Sequence, residues 1–265
     1  MRLNLVTRLG LALLAFTLAG AGINTSHAQG IYAGIFGGYG SARSANLEQQ
    51  GAVILGPRLR LPIKATGPTD STHLGMGGLQ LGYEWQGWKA NGANWAVRPA
   101  LELEAVYLGK HSPLGTMPVR PSALGTQYVT LPMTTGLVLA NAVFTFDTPY
   151  SNTFFPYIGL GAGAAFMSIK GSDSANPSEP GINHFNSDPN ASSTAFALQL
   201  KLGLKAQVQE NTLLFAEYRH LSISPSSYTF GETDYPGLHQ PTLPWNVSLG
   251  RQKYNVFVVG LQYKF

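Results

Sequence analysis

Along most of this chain, apolar residues recur at every second position, in blocks separated by stretches where the alternation is lost. A period of two puts successive side chains on opposite faces of an extended strand. The last block is the clearest: Asn255, Phe257, Val259, Leu261, Tyr263 and Phe265 share one face, and Tyr254, Val256, Val258, Gly260, Gln262 and Lys264 the other. Seven earlier blocks alternate in the same way, at residues 30–39, 74–86, 95–109, 134–146, 155–169, 194–208 and 213–222. In the third, Leu101, Leu103, Ala105 and Tyr107 oppose Arg98, Glu102 and Glu104; in the sixth, Phe196, Leu198, Leu202 and Leu204 oppose Gln199, Lys201 and Lys205. The seventh sets Leu214, Ala216, Tyr218 and His220 against Phe215, Glu217, Arg219 and Leu221. Each block predicts a strand with one continuous apolar face, and in the third, sixth and seventh the other face carries charge.

The connections between blocks alternate too. Residues 41–72, 110–132, 170–193 and 223–253 are long and rich in Gly, Pro, Ser and Thr, and read as loops; the connections between them are short. An up-and-down transmembrane barrel with both ends in the periplasm has long outer loops and short inner turns. A soluble β-sandwich, the competing all-β reading, gives no reason for connection length to alternate with direction. The fold expected is therefore all-β, a closed antiparallel up-and-down transmembrane barrel of eight strands. Arg58 to Lys64 also alternates, which leaves open a hairpin extension or a ten-strand count. Trp85, Trp88 and Trp95 gather at the first short turn, where an interfacial aromatic girdle belongs.

Composition supports this reading. Only 11% of residues are charged, against about 25% in soluble domains, and the chain carries 31 glycines. Residues 1–28 carry Arg2 and Arg8, an apolar run and the small-x-small end Ser26, His27, Ala28, and read as a signal peptide cleaved after Ala28. The apolar run is shorter than the roughly 20 residues a spanning helix needs. Its removal takes two arginines and leaves 15 basic against 13 acidic residues, so the chain does not have the charge of a nucleic-acid binder. Without cysteine there is no disulfide framework or thiol chemistry.

Four stretches resemble the small outer-membrane β-barrels of the OmpA-transmembrane-domain type, which include many bacterial surface antigens. They are Tyr32 to Tyr39, Pro156 to Phe166 (Pro-Tyr-Ile-Gly-Leu-Gly-Ala-Gly-Ala-Ala-Phe), Leu214 to Arg219 (Leu-Phe-Ala-Glu-Tyr-Arg) and Val259 to Phe265. The resemblance implies a monomer in the bacterial outer membrane. It also implies that Phe257, Val259, Leu261, Tyr263 and Phe265 form the signal read by the barrel-assembly machinery. With Phe265 as the last residue, the peptidoglycan-anchoring role of two-domain relatives is not expected.

Charged residues on the inner faces suggest an ion-pair network plugging the lumen: Arg98, Glu102, Glu104, Lys201, Lys205, Glu217 and Arg219. Isolated charges in so narrow a space would be costly, and an eight-stranded barrel leaves room only for side chains. Arg58, Arg60 and Lys64, close together in the first long connection, are candidate contacts for lipopolysaccharide phosphates. His220 and Ser222 share an outward face, a spacing that resembles the His-x-Ser of outer-membrane lipid A deacylases, with Glu232 or Asp234 as the acid that orients the histidine. No Asn follows directly on Ser222, however, and Ala-Glu-Tyr-Arg fits the non-enzymatic barrels better. Glycines at 159–163 lie inside a strand pattern and so form no nucleotide-binding turn. His73, His111, His184 and His239 have no metal-ligand spacing, and no cofactor is expected.

The function expected is non-enzymatic: display of loops for host, environmental or envelope ligands and support of the outer membrane. A narrow porin-like pore and a lipid A deacylase are the alternatives. Two outcomes follow from sequence alone. N-terminal sequencing of protein from the outer membrane should begin at Gln29. Deleting Phe265 should lower the yield of folded barrel in outer-membrane fractions severalfold; normal insertion without it would remove the assembly-signal reading.

Overall fold

The computed structural model describes residues 29–265 apart from 57, 90, 91, 93 and 236–239, so the expected signal peptide lies outside the described residues, as does His239. The strands, in chain order, are β1 Gly30–Ala42, β2 Asn46–Gly56, β3 Leu59–Pro68, β4 Thr72–Glu84, β5 Trp88–Lys89, β6 Ala96–His111, β7 Leu114–Arg120 and β8 Thr126–Thr130. They continue with β9 Met133–Asp147, β10 Phe154–Ile169, β11 Asp173–Ala175, β12 Ala191–Gln209, β13 Thr212–Ile223, β14 Ser226–Phe230, β15 Trp245–Leu249 and β16 Gln252–Lys264.

Eight of these, β1, β4, β6, β9, β10, β12, β13 and β16, pair antiparallel with their neighbours in sequence order. The sheet closes where β1 pairs with β16, from Tyr32 opposite Lys264 to Ala42 opposite Tyr254. Closure excludes the sandwich alternative and sets the count at eight. Parity does what the alternation predicts: Ile35, Leu81, Leu103, Val138, Leu160, Leu202, Leu214 and Val259 all point outward and are exposed. Aromatics mark both ends of this apolar band, with Trp85, Trp88, Trp95 and Phe265 at the short turns and Tyr39, Tyr107, Phe196 and Phe257 at the other end.

The long connections differ from expectation. Rather than irregular loops, they are largely sheet: β2, β3, β7, β8, β11, β14 and β15 form a second, seven-stranded sheet in the order β11-β8-β7-β3-β2-β15-β14. Its order repeats that of the barrel strands from which these segments emerge, so it continues the wall as an upper storey. The alternation at 58–64 belongs to β3 of this storey, not to an added transmembrane pair. The sequence disguised it because its polarity is reversed. In the barrel apolar side chains face out to lipid; in the upper storey Leu47, Met117, Val119, Val129, Val247 and Leu249 face in and are buried. Phe185, Phe230 and Trp245 join them, with Phe185 stacked on Phe230 at 4.3 Å between centroids. Water above the bilayer restores the soluble rule, apolar inside and polar outside.

Close approach inside the barrel requires glycine at particular sites. A Cβ at Gly82 would overlap the Tyr32 ring, and one at Gly203 the Tyr157 ring. Both phenols lie flat over the neighbouring strand because nothing projects from it.

Because the upper storey has its own apolar core, it should be separable energetically from the barrel. Trp245→Ala should cost about 3–5 kcal/mol locally, so that trypsin cuts the extracellular segments at least tenfold faster while the membrane-embedded barrel keeps its heat-modifiable gel mobility. Equal protection of variant and wild type would show that the storey does not depend on this core.

Candidate functional site

The lumen holds two charged layers. In the central one, Glu102 and Glu104 project from β6 because both occupy its inner parity, and Lys201 from β12 lies between them, pairing with Glu102 and standing 3.0 Å from Glu104 Oε1. Arg219 on β13 donates to both oxygens of Glu104, at 2.8 and 3.3 Å, and its Nε pairs with Glu217. Neutral donors complete the shells. Tyr32 Oη donates to Glu102 at 2.9 Å, Tyr157 Oη to Glu217 at 2.5 Å, and Gln199 Nε2 to Glu104 at 2.6 Å. Asn141 bridges, donating to Glu102 at 3.2 Å and accepting from Gln199 at 3.0 Å. The guanidinium of Arg219 also lies 4.0 Å over the Phe36 ring.

The second layer lies toward the short turns and centres on Glu84. Arg98 Nη1 stands 2.9 Å from Glu84 Oε1, Lys264 pairs with the same carboxylate, and Lys205 approaches it at 4.0 Å while facing the rings of Tyr157 and Tyr32 at 5.0 and 5.5 Å. Arg98 also forms an ion pair with Asp147 at 2.9 Å and lies over Phe155 at 4.8 Å. Across the two layers Glu84, Glu102, Glu104 and Glu217 are balanced by Arg98, Lys201, Lys205 and Arg219, all of them buried. Charges this deep persist only when paired, since desolvation would otherwise exceed any gain.

Toward the extracellular side the interior changes character. Val106, Leu108, Met133, Leu137, Leu139, Met167, Tyr254 and Val256 fill it, each no more than 4% exposed. This apolar layer runs into the core of the upper storey. There one polar network ties the four long connections together. Ser174 Oγ donates to Gln49 at 3.0 Å and accepts from Gln127 at 2.7 Å. The ring of His184 lies 2.7 Å from both the Ser174 carbonyl and Glu179 Oε2, Tyr235 Oη donates to Glu179 at 3.1 Å, and Trp245 Nε1 donates to Thr233 at 2.9 Å. Burial, and then the Glu179 carboxylate, hold the Tyr235 phenol well above its ordinary range.

All seven lumen residues singled out in the sequence are thus brought into contact with partners, but as two groups, with Arg98 serving Glu84 rather than Glu102. Glu84, Tyr32, Tyr157, Asn141 and Gln199 were missed as members. Parity was the available signal for Glu84, which follows Tyr83 on the opposite face. His220 and Ser222 do share the outward face, yet the His220 Nδ1 lies 2.8 Å from Asn255 Oδ1, which also accepts from Tyr218 at 2.7 Å. Ser222 Oγ is 3.5 Å from Arg251 Nη1, and the backbone carbonyl of Glu232 accepts from Ser187 N at 3.4 Å. The acid expected to orient His220 is therefore replaced by an amide. Phe257, Val259, Leu261, Tyr263 and Phe265 line the lipid face of β16 and are exposed. Lys64 pairs with Glu48 at 2.9 Å, which holds the Glu48 carboxyl below its usual range, and Arg58 and Arg60 sit exposed at the end of the β2–β3 hairpin.

Residues 9–265 match the family model described as the outer membrane protein beta-barrel domain. The chain belongs to that family. Membership places the barrel in the bacterial outer membrane; barrels of that kind have short periplasmic turns and longer outer connections. Among solved structures, it is similar to the outer membrane protein OprG from Pseudomonas aeruginosa, with 19% identity, 91% of this chain and 98% of that chain covered, and a TM-score of 0.45. Neisserial surface protein A matches with 16% identity, coverage of 91% and 100%, and a TM-score of 0.36. The outer membrane protease OmpT from Escherichia coli matches with 10% identity, coverage of 92% and 99%, and a TM-score of 0.34. No curated protein matches the sequence.

The central layer makes a quantitative expectation. Arg219→Met leaves Glu104 and Glu217 without their shared cation and should cost about 3–5 kcal/mol, read as a lower urea midpoint for the barrel in phosphatidylcholine vesicles. Adding Glu104→Gln should restore part of that loss. A single variant within about 0.5 kcal/mol of wild type, the size of an ordinary surface change, would mean that water solvates these carboxylates.

Proposed function

We propose that this outer-membrane barrel is a closed, non-enzymatic carrier for its upper storey, displaying that surface to ligands outside the cell and contributing to the integrity of the membrane. The observation that carries the reading is the stacking of a balanced ion-pair layer beneath an apolar layer across one lumen. An ion crossing this interior would have to strip paired charges and then pass a largely apolar layer whose few polar groups, Gln252, Tyr254, Ser226 and Tyr228, are already bonded to one another, which costs far more than thermal energy. The folded upper storey supports the display role, since an organised sheet holds exposed side chains in fixed relation at little further entropy cost on binding. Signal-peptide cleavage after Ala28, assembly through the Phe265 signature and a monomeric state belong to the same reading.

Cationic side chains on the outer wall, Arg58, Arg60 and Lys64, suit anionic groups of lipopolysaccharide or of another surface. Their height matters. At the rise and tilt usual for such barrels, the chain from Tyr39 at the aromatic boundary to Gln50, the register partner of Lys64, climbs roughly 25–30 Å. This favours partners beyond the headgroup phosphates next to the barrel.

Planar-bilayer recording of the refolded protein tests the closed lumen. Wild type should be silent, and discrete openings should require both layers to be breached, by Arg219→Ala in the central layer together with Leu108→Ala and Leu139→Ala in the apolar one. A stable wild-type conductance would instead support the narrow-pore alternative. Unchanged lipid A acylation in cells making wild type or Ser222→Ala is expected; acyl loss that disappears with Ser222→Ala would support the deacylase.

A further inference from the structure

The first hairpin outruns the wall to which it belongs. On one side β15 follows β2 only over Leu47 to Gln50, after which Leu243 N donates to the carbonyl of Ala52. On the other, β7 follows β3 only at Lys64 and Ala65. Beyond those points Val53, Ile54 and Gly56 pair in register only with Leu61, Arg60 and Leu59 of the same hairpin.

The chemistry of this free ribbon is one-sided. Leu55 and Leu59 are 58% and 61% exposed at its end, beside exposed Arg58 and Arg60. Residues 49–69 contain Arg58, Arg60 and Lys64 and no Asp or Glu. Arg120, the register partner of Lys64 on β7, adds a further cation at an open cleft of about 530 Å³ between the hairpin base and Pro121. Glu48 answers Lys64, whereas Arg58, Arg60 and Arg120 have no ion pair among the described residues. A pair of leucines held in water among unpaired cations is the pattern of a segment that enters the headgroup region of an anionic bilayer, where apolar burial and electrostatic attraction act together. Strand addition by a peptide is a poorer fit, because Pro62 offers no N–H on the β3 edge.

The protein's own leaflet lies out of reach. From Tyr39 at the aromatic boundary to Leu55 the chain climbs roughly 40 Å at ordinary rise and tilt. We propose that the end of the first hairpin docks onto a second, apposed phospholipid bilayer of negative charge. Leu55 and Leu59 enter its interface, Arg58 and Arg60 sit on its phosphates, and Lys64 and Arg120 reinforce the attraction from behind. The inference rests on the surface-display reading and names the partner of that surface.

The test uses the full chain in phosphatidylcholine nanodiscs, floated with vesicles of phosphatidylcholine alone or mixed with phosphatidylglycerol. Wild type should float with the mixed vesicles and not with phosphatidylcholine alone. Arg58→Gln with Arg60→Gln should weaken binding about thirtyfold, since each cation near such a surface contributes about a factor of five. Leu55→Asn with Leu59→Asn, which leaves the charge unchanged, should abolish flotation while the heat-modifiable barrel and its silence in planar bilayers persist. Failure of wild type to float, or binding unaffected by the leucine pair, overturns the proposal. So does complete release of wild type by soluble polyphosphate at the concentration that releases a peptide bearing only the arginines, which would mean phosphate adsorption by the arginines alone. The conductance result is independent: an open wild-type lumen would overturn the closed-barrel reading and leave the flotation outcome to be judged by itself.

Discussion

Everything in this molecule depends on the pairing of β1 with β16. Within hydrocarbon no water is available for a free N–H or carbonyl, so a sheet that crosses the bilayer must have no edge. Closure meets that requirement, and its consequences are geometric. Eight strands enclose a space only as wide as the side chains that fill it. Each inward position is therefore in contact with inward positions across the barrel, and the choice of residue at one decides what is tolerable at several others.

The ion-pair layers show this dependence most clearly. Lys201 can be buried because Glu102 and Glu104, two positions apart on β6, present two carboxylates to it; Arg219 can be buried because Glu104 and Glu217 share it. Tyr32 and Tyr157 reach those carboxylates only because the neighbouring strands carry Gly82 and Gly203 where any side chain would collide with a phenol ring. Charge, hydroxyl and glycine act as one unit in the lumen, which links the inner-face pattern of the sequence to the stability of the barrel and to the filling of its interior.

Above the membrane the same wall continues under the opposite solvent rule. The segments that leave β1, β6, β10 and β13 keep their neighbours, but their apolar residues turn inward and their polar residues outward. The network of Gln49, Gln127, Ser174, His184 and Thr233 then fixes the four connections to one another. A surface so organised differs from four independent loops, because its exposed side chains keep their relative positions. The free end of the β2–β3 hairpin is the part that escapes this order, and it carries exposed Leu55, Leu59, Arg58 and Arg60.

The sequence alone determined the barrel. A period of two in eight blocks, an outward apolar face in each, alternating connection length and low charge follow from crossing a bilayer with strands, and these signals are local. The inner-face parity of Glu102, Glu104, Lys201 and Arg219 was equally legible. Partnership was not: that Arg98 meets Glu84 and not Glu102, and that Asn255 instead of an acid meets His220, depends on the stagger between strands far apart in sequence. The upper storey was hidden for a related reason. Its strands are short, interrupted by proline and reversed in polarity, so their alternation gains meaning only once the barrel beneath fixes which side is in. Local periodicity records the solvent on each face of a strand, while closure and register decide which residues meet.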